Sequence, residues 1–234
     1  MIDLHSHILP QMDDGSRSTE ESLQMLTALA AQGVTDVAAT PHFYASENGP
    51  DRFLARRARS WQQLRPHLTA SLPRVHLGAE VLFFEGIAAF DGLPRLCLSG
   101  ADTLLLEMPF RPWSQRMLDE LLELADRPDV TVLLAHMERY LPYVAEPDWR
   151  RMARSGLYIQ SNADFFCGFS PRRKALRLLS EGRIHVLGTD CHNMERRAPR
   201  MDEAVRVIAR ALGDDTVRRL EEQARRLLER GGAA

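Results

Sequence analysis

Short apolar runs alternate with helical stretches along the chain, and run after run ends on a histidine or a carboxylate. Residues 1–4 read as a strand that enters a polar loop through Asp13-Asp14-Gly15. Ser18 is placed as an N-cap, with Glu21 three residues later completing a capping box. Leu23, Leu26, Leu29 and Ala30 then share one face of a helix that Gly33 ends. Residues 34–40 form the next strand, which Pro41 stops just before His42. The polar loop 43–51, with Asn48-Gly49-Pro50, should be exposed. An Arg-rich helix over 51–70 precedes a strand at 74–82 that carries Glu80, and 83–101 is irregular with one short helix. Strands at 102–107, 130–135, 157–161 and 184–188 alternate with helices at 114–127, 147–155 and 171–182. Helices at 199–212 and 214–231 finish the chain.

Strands that alternate with helices favour a parallel sheet. About seven strands in a chain this short fit an α/β barrel, whose functional residues gather at the C-terminal strand ends. His5, His7, His42, Glu80, Glu107, His136, Asp190 and His192 all fall at or near such ends. Residues far apart in sequence would therefore meet on one rim. His5 and His7, two apart in an extended strand, can face the same side. Imidazoles mixed with carboxylates suit Zn, Mn or Fe better than Ca, which takes oxygen ligands. A carboxylate placed directly after Leu104-Leu105-Leu106 needs a cation or several hydrogen bonds to offset its desolvation. His67, His76 and His185 sit at a helix end, at a strand start and before a strand, so they take structural readings.

Composition narrows the partners more than the chemistry. At 234 residues, 44% hydrophobic and 26% charged, the chain is expected to fold as one soluble domain over 1–234. A formal charge of −2 gives no electrostatic reason to expect nucleic acid or a membrane surface. No apolar run approaches the length of a bilayer span, and no signal peptide precedes the first strand. Cys97, Cys167 and Cys191 are too few for a disulfide framework. Together these absences point to a cytosolic enzyme. Of 30 Lys+Arg only Lys174 is lysine, a compositional habit of the source rather than chemistry.

The motifs in order resemble the polymerase-and-histidinol-phosphatase (PHP) superfamily. They are closer to its bacterial tyrosine-phosphatase branch, the capsule and exopolysaccharide regulators of the CpsB/YwqE type. The similarity rests on Met-Ile-Asp-Leu-His-Ser-His-Ile-Leu-Pro…Asp-Asp-Gly at 1–15, Ala-Thr-Pro-His at 39–42 and Gly-Ala-Glu-Val at 78–81. It continues through Leu-Leu-Glu-Met-Pro at 105–109 and Ala-His-Met-Glu-Arg-Tyr at 135–140, where Met137 replaces the branch's usual Pro. Gln160-Ser161-Asn162-Ala163 and Thr189-Asp190-Cys191-His192-Asn193…Arg197 complete it. The resemblance implies a distorted seven-stranded, TIM-like (β/α) barrel with metals at the C-terminal strand ends. It implies three ions, Mn or a mixture of Mn, Fe and Zn. His5, His7, Glu80 and Asp190 would hold the first ion. Glu80, Glu107 and His136 would hold the second, and Asp14, His42 and His192 the third. Asp13 could exchange with Asp14.

The implied activity is metal-dependent hydrolysis of a phosphomonoester, with Arg139 and Arg197 as guanidiniums for the phosphoryl oxygens. The implied substrate is a phosphotyrosine protein, in that branch the Tyr-rich tail of a bacterial tyrosine autokinase. Histidinol phosphate or another small monoester is the alternative within the superfamily, and a non-catalytic metal-binding module is a more distant one. Cys-x5-Arg, the signature of thiol phosphatases, occurs twice, as Cys167…Arg173 and Cys191…Arg197. In so Arg-rich a chain such spacing arises by chance, and neither segment is glycine-rich enough to wrap a phosphate. The sequence leaves oligomeric state open, and Arg52, Arg56, Arg57 and Arg59 of the 51–70 helix read as a solvated face rather than a subunit contact.

Overall fold

The first strand, β1 (Ile2–Ser6), is buried along its whole length, as a strand must be when both faces of a parallel sheet are covered. The computed structural model describes residues 1–230. Further strand segments are β2 (Asp36–Ala39), β3 (His42–Phe43), β4 (Arg74–Leu77), β5 (Glu80–Leu82) and β6 (Thr103–Glu107). The chain adds β7 (Thr131–Leu134), β8 (Tyr158–Asn162) and β9 (Val186–Gly188). Every ladder is parallel, in the orders β1-β2-β4 and β3-β5-β6-β7-β8-β9.

Among the described residues the segments number nine where the sequence leads one to expect about seven strands, and the physical reasons lie at two breaks. Pro41, which has no N–H to donate, separates β2 from β3. Gly78 separates β4 from β5, where a Cβ would stand 2.5 Å from Leu98 Cδ2. His42 and Glu80 therefore open short segments instead of ending long ones. Pairing persists beside the breaks, because Gly78 N–H donates to Ala39 O at 2.9 Å and Glu80 N–H to Pro41 O at 3.1 Å. At the other side, Asp190 N–H donates to His5 O at 2.7 Å and His7 N–H to Cys191 O at 2.9 Å. The sheet thus curls until the end of β1 meets the segment beyond β9.

The helices are α1 (Thr19–Ala31), α2 (Pro50–Leu64), α3 (Gln115–Ala125), α4 (Met137–Tyr140) and α5 (Glu146–Met152). They continue as α6 (Asp164–Cys167), α7 (Phe169–Ser180), α8 (Met201–Leu212) and α9 (Asp214–Glu229). The expected end of the last helix, residue 231, lies outside the described residues. The short α4 and α6, each of four residues, have too little periodicity to be read from sequence. Helix α2 stops at Leu64, earlier than expected, because Pro66 turns the chain into a 3-10 turn over Arg65–His67. The segment 83–101 holds two such turns, Ile87–Ala89 and Leu93–Arg95, rather than one short helix. Ser18 caps α1 by accepting from Glu21 N–H at 3.2 Å, but Glu21 reaches Arg17 N–H, one residue earlier than a capping box requires. Arg56 and Arg57 of α2 are not simply solvated: they donate to Met12 O at 2.7 Å and Gly78 O at 2.6 Å, tying down two loops.

An apolar plug closes one end of the curled sheet. Ile2, Leu4, Leu105, Leu133 and Val186 pack with Ala224, Leu227 and Leu228 of α9, and Thr103 Oγ1 donates to Leu227 O at 2.7 Å. The ladder shifts register between Asp3 and Ser6. That irregularity lets Leu4 join the plug while His5, its neighbour of opposite parity, turns to the other end. Gly188 admits the His5 side chain, since a Cβ there would lie 2.6 Å from His5 Cβ and 2.9 Å from Gln160 Nε2. The plugged end is dry and the open end polar.

Candidate metal centre

The open end gathers every residue that the sequence marks as a metal ligand. His7, Asp14, His42 and His192 each offer a ligand atom, all within 4.8 Å of one another. The same holds for His5, His136 and Asp190, for His5, His7 and Glu80, and for His42, Glu80 and Glu107. The nine residues therefore meet in one cluster, although the groupings overlap more than the three implied sets. Glu80 is at the centre. Its Oε2 stands 3.3 Å from His5 Nε2, 3.3 Å from His7 Nε2 and 2.9 Å from His42 Nδ1, and its Oε1 lies 2.6 Å from His136 Nε2. Asp190 Oδ1 lies 3.5 Å from both His5 Nε2 and His7 Nε2. Glu107 Oε1 is 3.5 Å from His136 Nε2.

The two adjacent aspartates have different surroundings. Asp14 Oδ1 is 3.4 Å from His42 Nε2 and 3.3 Å from His192 Nε2, in the cluster. Asp13 stands behind His7, accepting from its Nδ1 at 2.7 Å and from His42 N–H at 2.9 Å. It fixes which ring nitrogen of His7 points inward. Gly15 makes this turn possible, because a Cβ there would lie 2.4 Å from His7 O.

Several buried atoms of the cluster have no hydrogen-bond partner: His42 Nδ1, Glu80 Oε2, Asp190 Oδ1 and His192 Nε2. The 2.9 Å approach of His42 Nδ1 to Glu80 Oε2 is close enough to be an ion pair but lacks hydrogen-bond alignment. Among the described residues the only other orphan of this kind is Asp102 Oδ1, immediately before β6, at the opposite end of that strand from Glu107. An unpartnered buried polar atom costs roughly 1–3 kcal/mol, more where it is charged, and divalent cations are partners that both carboxylate oxygens and imidazole nitrogens can take. The residues present fit a metal. Backbone strain is concentrated here too: His136 and Asp190 adopt φ of 54° and 52°, in the left-handed region. Each such residue costs about 1–3 kcal/mol and is held only where its surroundings insist.

The titrations have the same origin. Burial lowers His7, but Asp13 and Glu80 outweigh it and push the ring up to about 10. Burial opposed by Glu80, Glu107 and Asp190 likewise pushes His136 up to about 10. Burial would raise Glu80, yet His5 and His136 hold it well below the carboxylate range. His192, desolvated and facing His7 and Arg197, is pushed down to about 3 and is a neutral imidazole. A metal needs neutral rings and ionised carboxylates, so loading this cluster would release protons from His7 and His136.

Arg139 and Arg197 stand at the rim: Arg139 donates from Nη2 to Asp190 Oδ2 at 2.7 Å, and Arg197 Nη2 forms an ion pair with the same oxygen at 2.6 Å. They line a cleft of about 460 Å3 with Glu138, Asn162, Asp164 and Thr189. A second cleft of about 240 Å3 opens beside Asp14, His42, Tyr44 and Arg56. Another cleft, about 520 Å3, lies elsewhere, around His185, Arg219 and Gln223, and touches none of the nine residues. His67 is exposed, His76 pairs with Asp36 at 3.0 Å, and His185 Nδ1 accepts from Ile159 N–H at 3.0 Å. Cys191 is fully buried and burial beside Asp3 drives its thiol up, while burial pushes Cys167 up to about 12. Neither is a thiolate at neutral pH.

A supporting layer escaped the sequence reading. Gln160 Oε1 accepts from His136 N–H at 3.0 Å and lies 3.3 Å from His5 Nδ1. Asn162 Oδ1 is 3.2 Å from His136 Nδ1, and its Nδ2 donates to Asp190 Oδ2 at 2.9 Å. Asp3 accepts from Thr189 N–H at 2.9 Å and Thr189 Oγ1 at 2.6 Å, which pins the strained turn at Asp190. The signal was present as Gln160-Ser161-Asn162, three polar residues in succession on a buried strand.

The sequence profile described as "Capsular polysaccharide synthesis, CpsB/CapC" matches residues 1–229. The chain belongs to the CpsB/CapC family. Tyrosine-protein phosphatase YwqE of Bacillus subtilis (strain 168) is 30% identical over 249 residues, covering 97% of this chain and 91% of YwqE. Tyrosine-protein phosphatase CpsB of Streptococcus pneumoniae is 28% identical over 229 residues, covering 91% of each chain. A crystal structure from the pair YwqE of Bacillus subtilis and CpsB of Streptococcus pneumoniae, described as unique metal-dependent tyrosine phosphatases, shares the fold. Its TM-score is 0.82 at 24% identity, over 98% of this chain and 95% of that chain.

Asn162→Ala and Gln160→Ala should each lower metal affinity about 10–100-fold, the usual effect of removing a partner that orients a ligand. Titration of the metal-free variants with Mn2+ checks this; wild-type affinity in both would show that these contacts do not organise the cluster.

Proposed function

We propose that this CpsB/CapC family member is a metal-dependent protein-tyrosine-phosphate phosphatase. One observation supports the reading above the rest: four orphaned buried ligand atoms share one open rim with two guanidiniums. The curated relatives that match along nearly the whole chain are named tyrosine phosphatases. In this reading His5, His7, Glu80 and Asp190 hold one ion, Glu80, Glu107 and His136 a second, and Asp14, His42 and His192 a third. Mn2+, or a mixture of Mn, Fe and Zn, suits that set of imidazoles and carboxylates. The contacts of Asp14 with His42 and His192 favour it over Asp13 as the ligand. The barrel is counted as seven-stranded by treating β2 with β3, and β4 with β5, as two interrupted strands. Residues 1–234 form one phosphatase domain.

When bound, the ions supply the acidity that makes water a nucleophile near neutral pH and the positive charge that phosphoryl transfer requires. The chain's own residues do the rest. Arg139 and Arg197, now drawn to Asp190, turn their remaining N–H groups to the phosphoryl oxygens, where a planar fork binds two at a time. Gln160, Asn162 and Asp13 keep the histidine rings in the tautomer that binding demands. The leaving phenol has an ordinary pKa of about 10, so its departure asks less of a proton donor than an alkoxide would. The protein substrate is the Tyr-rich tail of a bacterial tyrosine autokinase, in the regulation of capsule or exopolysaccharide synthesis. The site works in the cytoplasm, a reading consistent with the lack, among the described residues, of any helix long and apolar enough to cross a membrane.

Mn2+-loaded protein should hydrolyse a phosphotyrosine peptide with a higher kcat/KM than histidinol phosphate. A chelator should abolish turnover and iodoacetamide should spare it. Faster histidinol phosphate turnover, or loss of activity to iodoacetamide alone, would overturn the reading. Arg139→Ala should cost roughly 10²–10³ in kcat on the peptide, the scale of one lost charge-stabilising donor; undiminished kcat would remove Arg139 from the reaction.

A further inference from the structure

Phe110 is a large aromatic side chain left in solvent at the rim, 44% exposed. Its surroundings are those of the candidate site. The Arg139 guanidinium carbon lies 5.2 Å from its ring centroid. The His136 ring stands 6.1 Å away, inclined at 62°, and the Tyr140 ring lies 5.8 Å away, inclined at 24°. The loop that carries Phe110 is fixed from both sides. Met108 N–H donates to the Tyr140 hydroxyl at 2.9 Å, and Trp113 Nε1 donates to Pro109 O at 3.1 Å. Arg111 N–H also donates to Pro109 O, at 2.9 Å. The ring is therefore held in place before any ligand arrives.

Resting on the phosphomonoesterase reading above, we propose that Phe110 is the specificity-determining platform that receives the aryl ring of phosphotyrosine. In an aryl phosphate the ring is one ester oxygen from phosphorus. A phosphoryl group gripped by Arg139 beside His136 therefore carries its ring to the exposed part of Phe110. Aromatic rings attract one another offset or edge-on at centroid separations of about 4.5–7 Å, the spacing that Phe110 already keeps from its present neighbours. An alkyl phosphate presents no ring and gains nothing from this contact. A phenyl ring has no group that can give or take a proton, so it selects the substrate and leaves the chemistry to others.

Two non-hydrolysable probes separate this role from a general one: phenylphosphonate and methylphosphonate, titrated calorimetrically into Mn2+-loaded protein. Phe110→Leu, which keeps apolar bulk but removes the ring, should weaken phenylphosphonate roughly three- to tenfold and leave methylphosphonate within about twofold. Phe110→Tyr should restore phenylphosphonate to the wild-type level. Unchanged phenylphosphonate binding by Phe110→Leu, or equal weakening of both probes, would overturn the role of Phe110 while leaving the phosphatase reading intact. Wild-type protein that binds neither probe would overturn the phosphatase reading itself, and the platform with it.

Discussion

The open end of this fold is organised by the burial of Glu80. A carboxylate with no solvent contact sits among the rings of His5, His7, His42 and His136. Burial alone would protonate it, and only the surrounding positive charge keeps it ionised. Every other feature of the rim serves that balance. Asp13 turns one ring, Gln160 and Asn162 turn two more, and Asp190 closes the ring of charge with Arg139 and Arg197 behind it. Protons on His7 and His136 balance the carboxylates only in part, since four ligand atoms still have no partner. Cations complete it.

The fold makes this possible by dividing the interior. The apolar plug against α9 leaves one end of the curled sheet as ordinary core. The breaks at Pro41 and Gly78, the register shift in β1 and the left-handed residues His136 and Asp190 all lie toward the other end. Each is a departure from regular strand geometry, and each sets the direction of a ligand side chain. Local strain in the backbone is compensated by packing elsewhere, the arrangement expected where function overrides regularity.

What the sequence revealed and what it concealed divide along physical lines. Apolar runs ending in His or a carboxylate announced the cluster, because chain order and strand parity are enough to bring such ends to one rim. Ser18 was legible for the same reason, since capping is local, and the α1 face in part: Leu26 and Leu29 are buried as expected, but Ser22 and Met25 complete that face while Leu23 and Ala30 are only half-buried. The α2 terminus was misread beyond Leu64 although Pro66 marked it. The splitting of the strands was not legible in detail, because the break at Gly78 follows from the approach of Leu98, a contact across the fold. Nor were the roles of Gln160, Asn162 and Asp3, which depend on partners 24 to 186 residues away. The distinction between Asp13 and Asp14 is likewise spatial, since the two are adjacent in sequence and face different neighbours only after folding.

This cluster is built for divalent cations. Thermal unfolding of the protein, compared in excess chelator and in Mn2+ at about a hundredfold excess over its Kd, tests it most directly. Binding to the folded state alone would add about 2.7 kcal/mol for each ion held, a rise in Tm of roughly 5–10 °C per ion for a chain of this size. An unchanged Tm across Mn2+, Fe2+ and Zn2+ would contradict the account.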